Sequence, residues 1–541
     1  LGENVPGLFV TERGITGFGV ANGSAGQITI RGIGGNPNTQ VLILLNGSPQ
    51  FMGIMGHPLS DSYVASDIEK VEIIRGPAST LYGSNAMGGV INIITREQLL
   101  DGYDVSGRIM YGSYNTQKYM LNGGFRRKGL NVFTSFNHDQ TDGHRDSSDF
   151  KITNAYVKTG YRINKNFNTS FDFSIAKFNA TDPGPESGYA GNTIDILRGL
   201  GSLSLDHRFE KFEGTARFFY NFGEHNITDG FHSKDHNWGV TVYESFRLLK
   251  SNTFTVGLDH KNFGGIAENV KAMQGAGMVF GDTTIYETGV YGLVQQYLFD
   301  RLTLNAGFRY EFNSVYGSEP IPSGGFAYRL TPTTTVKGSI AKGFRSPTIR
   351  ELYLWAPANE DLKPERMTNI EGSVMQSLLG NKLVLELTVY RAYGNNLIKT
   401  IVQNNIPKNV NTRTFSNTGI EFSVKYNPIS SLNLLANYSY IDMREPVLAT
   451  PVHSIFVCAT WVYDGFSLNL SMQDVIDLYV KMGEQNEKES YILLNSRIGY
   501  EVNKYLKVFI KLENLLNQDY QINYDYPMPG ITIFGGINLH L

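Results

Sequence analysis

Two methionines and one histidine, Met52, Met55 and His57, lie close together in the segment 51–58. Thioether and imidazole groups together suit copper, and either group can ligate haem iron. We therefore regard this segment as a candidate metal-binding loop. The alternative is an apolar loop that carries an incidental histidine.

A second group of soft ligands is spread over two segments that we predict to be long loops, 223–236 and 263–284. Its members are His225, His232, His236, Met273 and Met278. Together with His57 these side chains could ligate a metal ion or haem. The alternative is that the histidines are solvated loop residues.

Aromatic and basic side chains mark a third stretch, which contains residues 343–347 (GFRSP) and 359–364 (NEDLKP). The candidate substrate contacts in it are Phe344, Arg345, Tyr353 and Trp355. The two aromatic rings could stack on a flat ligand, or they could pack the loop. The interval between the two motifs contains no histidine.

None of these groups forms a catalytic arrangement. The sequence has no Gly-x-Ser-x-Gly elbow, no phosphate-binding loop and no His-Glu-x-x-His motif. The net charge of −3 implies no polyanionic partner, so we expect no nucleic-acid binding. We predict a protein that is not an enzyme and that requires no cofactor of its own.

The elements that must position these residues fall into two regions. Residues 1–98 hold short apolar runs separated by Gly-rich turns, which predicts an α+β domain of about four strands. Residues 99–541 show repeated alternation of apolar and polar residues over about ten positions, as in 302–312. Strands of that length and pattern favour a membrane β-barrel, of about 22 antiparallel strands by our count.

Composition agrees with a barrel. The 541 residues include 58 glycines and 12% aromatic residues, which suits many turns and aromatic girdles. No run approaches the ~20 apolar residues of a membrane-spanning helix. A barrel of this width needs something to fill its lumen, and residues 1–98 are the obvious plug.

The segment 75–94 (RGPASTLYGSNAMGGVINII) closely resembles the plug signature of TonB-dependent outer-membrane transporters. Further similarity lies in residues 30–32, 41–47, 512–520 and 529–530, so the resemblance covers essentially the whole chain. It implies binding of a scarce nutrient by the plug apex and the external loops, and import driven by the inner-membrane TonB complex. It also implies contact with outer-membrane lipids and allows for a surface lipoprotein partner. We find no segment like a TonB box, so we expect the chain to begin after it.

The resemblance also implies a latch between plug and barrel. Arg31 and Arg75 occupy positions at which the family's plug arginines meet glutamates of the barrel wall, and Glu371 and Glu421 match those partners. A charge inside the lumen needs a counter-charge, and a bidentate contact also fixes orientation. The alternative is that these are ordinary solvated lumen charges.

The substrate is left open among several metal complexes. Residues 343–347 and 359–364 resemble paired boxes of haem receptors, which also occur in cobalamin and siderophore receptors, and the missing histidine weakens the haem assignment. We rank haem or another transition-metal complex (iron or copper) first, cobalamin (cobalt) second and a ferric siderophore third. A passive porin needs no plug, and an outer-membrane enzyme needs a nucleophile that is not seen.

Overall fold

The computed structural model describes residues 2–17, 26–35, 38–63, 67–188, 190–271, 278–355, 357–403, 406–412, 414–483 and 485–541. Met273 lies outside these residues. Every structural statement below concerns this described part of the chain.

The N-terminal region is a small domain of six strands and one short helix. Its elements are β1 (Leu8–Val10), β2 (Ile28–Ile30), β3 (Val41–Leu45), β4 (Ser48–Pro49), β5 (Ile68–Arg75), α1 (Ser79–Tyr82) and β6 (Gly89–Thr95), with single 3-10 turns at Gly2–Asn4 and Ser60–Ser62. Four of the strands form a sheet in the order β4-β3-β6-β5. β3 and β6 are parallel, and the other two pairings are antiparallel. β1 and β2 form a separate pair.

Turn chemistry shapes this domain. β3 is a continuous apolar run that is buried throughout, and it reverses into β4 at Asn46-Gly47. Both turn residues have positive φ, 49° and 80°. A type I′ turn requires positive φ at both central positions, and the Asn-Gly pair adopts it at little cost. The reversal sends the following segment, 51–58, away from the sheet toward the external end of the barrel.

The rest of the chain is a closed barrel of 22 antiparallel strands, which confirms the predicted fold class and strand number. Backbone pairing of the last strand with the first closes the ring. The barrel strands are β7 (Gly102–Gly112), β8 (Thr116–Arg127), β9 (Leu130–Thr141), β10 (Phe150–Arg162), β11 (Phe167–Asp182), β12 (Asn192–Arg208), β13 (Phe212–Ile227), β14 (Phe231–Phe246), β15 (Asn252–Asn269), β16 (Met278–Leu298), β17 (Leu302–Asn313), β18 (Gly317–Arg329), β19 (Thr334–Arg345), β20 (Glu365–Leu378), β21 (Leu383–Asn395), β24 (Thr414–Ile429), β25 (Leu432–Met443), β26 (Pro451–Tyr463), β27 (Phe466–Lys481), β28 (Glu487–Asn503), β29 (Leu506–Glu513) and β32 (Thr532–His540).

Three further elements decorate the external end of the barrel. They are a short helix, α2 (Ile349–Leu352), and two small hairpins made of β22 (Ile398–Gln403) with β23 (Ile406–Asn411) and of β30 (Gln521–Asn523) with β31 (Tyr526–Pro527). Among the described residues, no helix has the length and apolar composition needed to cross a bilayer.

The two faces of the wall follow the predicted alternation. On β17, Phe308 and Tyr310 are 53% and 51% exposed on the outside, whereas Arg309 and Glu311 are fully buried on the inside. Apolar residues thus face outward and charged residues face the plug, which is the arrangement of a barrel set in lipid.

The predicted loop boundaries were wrong where strands continue past the bilayer. β13 and β14 pair from Phe212↔Phe246 up to Asn226↔His232, so most of the predicted loop 223–236 is a hairpin. β15 and β16 likewise extend into the predicted loop 263–284. Our prediction ended each strand at bilayer width, but backbone hydrogen bonds between neighbouring strands are equally favourable above the membrane.

Candidate functional site

The apex of the plug is the loop 51–58. The Met52 N–H donates to the His57 carbonyl at 3.0 Å, and the Gly56 N–H donates back to the Met52 carbonyl at 2.8 Å. The Gly53 N–H donates to Oδ1 of Asp235 on β14 at 2.7 Å. A Cβ atom at Gly53 would collide with the carbonyl oxygens of His236 and Gly264, so only glycine allows this approach to the wall.

The two apex methionines differ in their surroundings. Met52 is 2% exposed and packs into an apolar cluster with Phe150, Phe178 and Ile196 of the wall. Met55 is half-buried and contacts both this cluster and a second one around Phe51. Of the two thioethers, Met55 is therefore the more accessible.

His57 is held as a neutral imidazole. Its Nδ1–H donates to the Pro58 carbonyl at 3.0 Å, which leaves the lone pair on Nε2. Burial lowers the pKa of His57 and outweighs the hydrogen bond to the Pro58 carbonyl, which raises it; the neighbouring Arg350 and Arg198 lower it further, and Asp235 opposes them. A neutral imidazole with a free Nε2 can ligate a metal ion or accept a hydrogen bond.

His225 is the partner that sequence reasoning placed in a loop. It lies on β13, is 3% exposed, and is within electrostatic range of His57. Its Nε2 is buried and makes no hydrogen bond within the described part of the chain. A buried nitrogen without a partner is costly, and in a native protein it often marks a place where something binds.

His232 and His236 do not join this group. On β14 the lumen-facing residues include Ser233, Asp235 and Asn237, so the two histidines lie on the outer face. His232 Nδ1–H donates to Glu268 at 2.7 Å. We predicted both histidines in one loop. On β14, however, the odd-numbered positions face the lumen, so both histidines point away from the plug. Met278 begins β16, and Met273 lies outside the described residues.

Residues 346–355 and 357–364 fold inward over the plug. Thr348 and Glu351 form a capping box at the start of α2, with Glu351 Oε2 accepting from the Thr348 N–H at 2.8 Å. The Arg350 N–H donates to the carbonyl of Ile54 in the apex loop at 3.2 Å. Ile349 and Leu352 pack on the plug in the same apolar cluster as Phe51. We call residues 346–355 and 357–364 the lid.

Two of the residues predicted to contact substrate, Phe344 and Arg345, lie at the end of β19 next to the lid. Phe344 is fully buried. Arg345 binds Glu351 through both terminal nitrogens, at 2.8 and 3.1 Å, and Glu365 through Nε at 2.7 Å. Glu365 also accepts from Gln40 of the plug at 2.7 Å. Arg345 thus ties the lid, the wall and the plug together.

Trp355 is packed by other aromatic rings. Its ring centroid lies 4.7 Å from that of Phe280 and 6.0 Å from that of Phe231. The Arg350 guanidinium lies over the indole at 5.8 Å. Tyr353 packs against the same cluster. In this arrangement the rings fill the lid.

Arg31 and Arg75 both contact glutamates of the wall. Arg31 binds Glu421 through Nε at 2.8 Å and through Nη2 at 2.9 Å, and it binds Glu371 through Nη1 at 2.6 Å. Arg75 Nη1 reaches the same Glu421 at 2.5 Å. Arg31 and Glu421 are 4% and 2% exposed, so this is a buried network.

Local turn geometry sets the position of Arg31. Arg31 and Gly32 have φ of 55° and 68°, and the amides and carbonyls of Ile30 and Ile33 pair reciprocally across the turn. The Arg31 guanidinium stacks on the Tyr390 ring at 4.2 Å. A Cβ at Gly32 would meet the side chains of Asn417 and Ile441, so glycine is required beside the arginine.

Two other buried charge groups escaped the sequence analysis. Arg198 pairs with Asp235 at 2.6 Å beneath the apex loop. Arg309 pairs with Asp259 at 2.7 Å and with Glu311. The available signal was strand parity, because each of these residues occupies the polar face of an alternating strand.

Comparison with known proteins identifies the architecture. The family profile described as "TonB dependent receptor-like, beta-barrel" matches residues 94–515, and that of the "TonB-dependent Receptor Plug Domain" matches residues 1–90. The iron-regulated outer membrane virulence protein of Vibrio cholerae is 24% identical, over 96% of this chain and 86% of its own length. The vitamin B12 transporter BtuB of Photobacterium profundum is 23% identical, over 94% and 85%.

Solved structures share the fold at lower identity. The copper transporter OprC superposes with a TM-score of 0.85 at 17% identity, covering 99% of this chain and 94% of the other. The siderophore receptor PirA of Acinetobacter baumannii gives 0.81 at 17% identity, covering 100% and 95%.

Removal of the shared carboxylate should weaken the plug's attachment. Glu421→Gln leaves Arg75 without a carboxylate and Arg31 with Glu371 alone, and breaking a buried pair costs roughly 3–5 kcal/mol. We expect urea to release hydrogen exchange in β3 and β6 at a lower concentration. The matched control is Glu386→Gln, which breaks a more exposed pair with Lys337 and should cost less than about 1 kcal/mol. Equal effects of the two substitutions would contradict a structural role for the buried network.

The lowered pKa of His57 predicts a pH dependence of plug stability. The unfolded chain binds a proton near pH 6.5, and the folded plug binds it only at lower pH. The free energy of unfolding should therefore be unaffected well above that pH and should fall as the pH drops below about 6.5. His57→Gln should flatten the difference in urea midpoint between about pH 7.5 and about pH 5.5. His138→Gln, on the outer face of β9, is the control; an unchanged pH profile in His57→Gln would refute the assignment.

Proposed function

The chain belongs to the family of TonB-dependent receptors, which are outer-membrane transporters rather than enzymes, and we propose that it imports a scarce metal-containing nutrient. Haem or another transition-metal complex is the first candidate. The partners in this process are the substrate and the inner-membrane TonB complex, which supplies the energy.

The observation that carries the proposal is the imidazole of His57 on the apex loop together with that of His225 on the wall strand β13. His57 presents a neutral ring with a free Nε2, and the Nε2 of His225 is buried without a hydrogen bond in the described residues. Met55, two residues before His57 in the same loop, adds the more accessible of the two thioethers. Two nitrogen ligands and one soft sulfur suit haem iron or copper better than a hard oxygen-seeking cation.

The named cargoes of related proteins support the metal class without choosing within it. They are copper, ferric enterobactin and the cobalt complex vitamin B12. A ferric siderophore or cobalamin is accordingly the second candidate. Either complex would meet the apex through its organic shell, so its binding would not depend on the imidazoles.

The latch has a role in this proposal. Glu421 holds Arg31 and Arg75 at distances of 2.5 to 2.9 Å, and it would keep the plug seated until TonB applies force. An ion pair is suited to this task because water entering the lumen screens the charges and allows them to separate.

Direct titration of the purified receptor tests the substrate. We expect haem to bind with a shifted visible absorption band, and His57→Ala and His225→Ala each to weaken binding about tenfold or more, the loss of one metal–ligand bond. Met55→Ala should have a smaller effect, and His138→Ala should have none. Parallel titrations with Cu²⁺, ferric enterobactin and vitamin B12 complete the set. Tight binding of one of the last two that survives both histidine substitutions would replace the first candidate with the second.

A further inference from the structure

The plug does not fill the lumen evenly. A cavity of about 580 Å³ separates the sheet edge near Leu44 and Gly47 from the inner wall of β13 to β16. A second cavity of about 960 Å³ lies below it, between the end of the plug at Glu97 and the lower part of β8 to β14. The opposite side of the plug, at β20 and β24, is closed by the buried network around Glu421.

The two cavities are neighbours, and we call them together the passage. Tyr243 and Ser245 of β14 line both of them. The lower cavity reaches Arg162 and Arg208, which end β10 and β12 at the periplasmic side of the barrel. Taken together, the two cavities extend from beside the plug sheet to the periplasmic side of the barrel along one arc of the wall.

The upper end of the passage is sealed by apolar packing. Phe51 of the plug meets Phe263 of β15 edge to face at 5.4 Å. Ile349 and Leu352 of the lid complete the same cluster. Movement of the lid and the apex loop would therefore open this end, and no strand of the wall would need to separate.

The plug is held more weakly along this arc than along the other. Here it meets the wall through hydrogen bonds. Those from Asn46 to Tyr156 at 3.1 Å and from Asn221 to the Pro49 carbonyl at 2.6 Å are neutral, and the Gly53 amide donates to the Asp235 carboxylate at 2.7 Å. The ion pair between Lys158 and Glu97 is long, 3.8 Å, and Glu97 is half exposed. Buried ion pairs join plug and wall at Glu371 and Glu421, among the described residues.

The lining of the passage is basic although the chain as a whole is slightly acidic. Seven lysine and arginine residues but only four aspartate and glutamate residues line the two cavities, against 47 and 50 in the whole chain. Asp259 is compensated by Arg309, and Lys261 by Glu287. Among described residues, Arg217 has no carboxylate partner within ion-pair distance.

Arg217 occupies the narrow point between plug and wall. Its Nε–H donates to Ser204 Oγ at 2.9 Å. Its guanidinium lies so close to the Asn46-Gly47 turn that a Cβ atom at Gly47 would collide with Nη1. An unpaired cation at the constriction of a low-dielectric channel attracts anions and repels cations.

We propose that this passage along β12 to β16 is the exit route of the cargo, and that Arg217 and the basic lining select an anionic metal complex, one that carries carboxylate or catecholate groups. The inference rests on the transport function proposed above and narrows it. As cargo, an anion-selective passage favours haem, through its propionates, and ferric siderophores over a bare metal cation or a neutral corrinoid.

Uptake by cells that carry the full-length receptor tests the route. The probes are haem and ferric enterobactin, and binding to de-energised cells is measured beside uptake. Arg217→Glu should lower the uptake rate of the bound probe about tenfold or more and leave its external affinity unchanged, whereas Arg217→Lys should transport normally. Lys425→Glu, the same charge reversal on the lumen face of β24, is the matched control. Normal uptake by Arg217→Glu, or equal loss in Lys425→Glu, would overturn the proposal.

A second measurement does not depend on the cargo and so separates failure of the route from failure of the proposed function. In a Cys458→Ser background, Ser245→Cys places a thiol where the two cavities meet, and Ser423→Cys places one on the lumen face of β24. A sulfonate-bearing thiol reagent should react at position 245 roughly tenfold faster than a trimethylammonium reagent of similar size. The two reagents should differ less at position 423. Equal rates at position 245 would refute the charge selection whatever the cargo is.

Discussion

The buried carboxylate of Glu421 is the constraint on which the rest of the arrangement depends. It is shared by Arg31 and Arg75, which come from two different parts of the plug. None of the three charges could remain unpaired in the lumen without a cost of several kcal/mol. Because the contact with Arg31 is bidentate, it fixes direction as well as distance. One residue of the wall therefore sets the rotation of the plug inside the ring.

That rotation decides what the apex loop meets. With Arg31 held against β24, the apex loop comes to lie against β14 and β15, where Asp235 binds the Gly53 amide. It also brings His57 near His225 and places the lid over Phe51. The imidazole pair and the apolar seal are thus consequences of how the plug is seated, and neither is encoded in the apex segment alone.

The sequence predicted those parts of the structure that follow from strict periodicity or from paired charges. The alternating faces of 302–312 and the number of strands depend only on a two-residue repeat, which is local. The resemblance supplied Arg31, Arg75 and their glutamate partners. The alternation of inner and outer faces continues along the strands beyond the bilayer, where the sequence analysis predicted loops. His225 was therefore grouped with His232, although the two side chains point to opposite faces of the wall. The lid was predicted to contact substrate through Tyr353 and Trp355, yet its apolar Ile349 and Leu352 and the Thr348-x-x-Glu351 capping pattern were signs of a packed segment in the sequence.

Because the plug is attached unevenly, a pulling force would separate one side of it from the wall before the other. A buried ion pair resists separation by roughly 3–5 kcal/mol, whereas a neutral hydrogen bond contributes about 0.5–1.5 kcal/mol net. Along β10 to β13 the contacts at Asn46 and Asn221 are of the second kind, and on β14 a single hydrogen bond to the Asp235 carboxylate, about 1.5–3 kcal/mol, holds the Gly53 amide. A pull on the N-terminal side of the plug would therefore release this arc first, while Glu421 still holds the other. The plug would tilt about its latch and widen the space at Arg217, so the same asymmetry that leaves a cavity at rest would enlarge it under load.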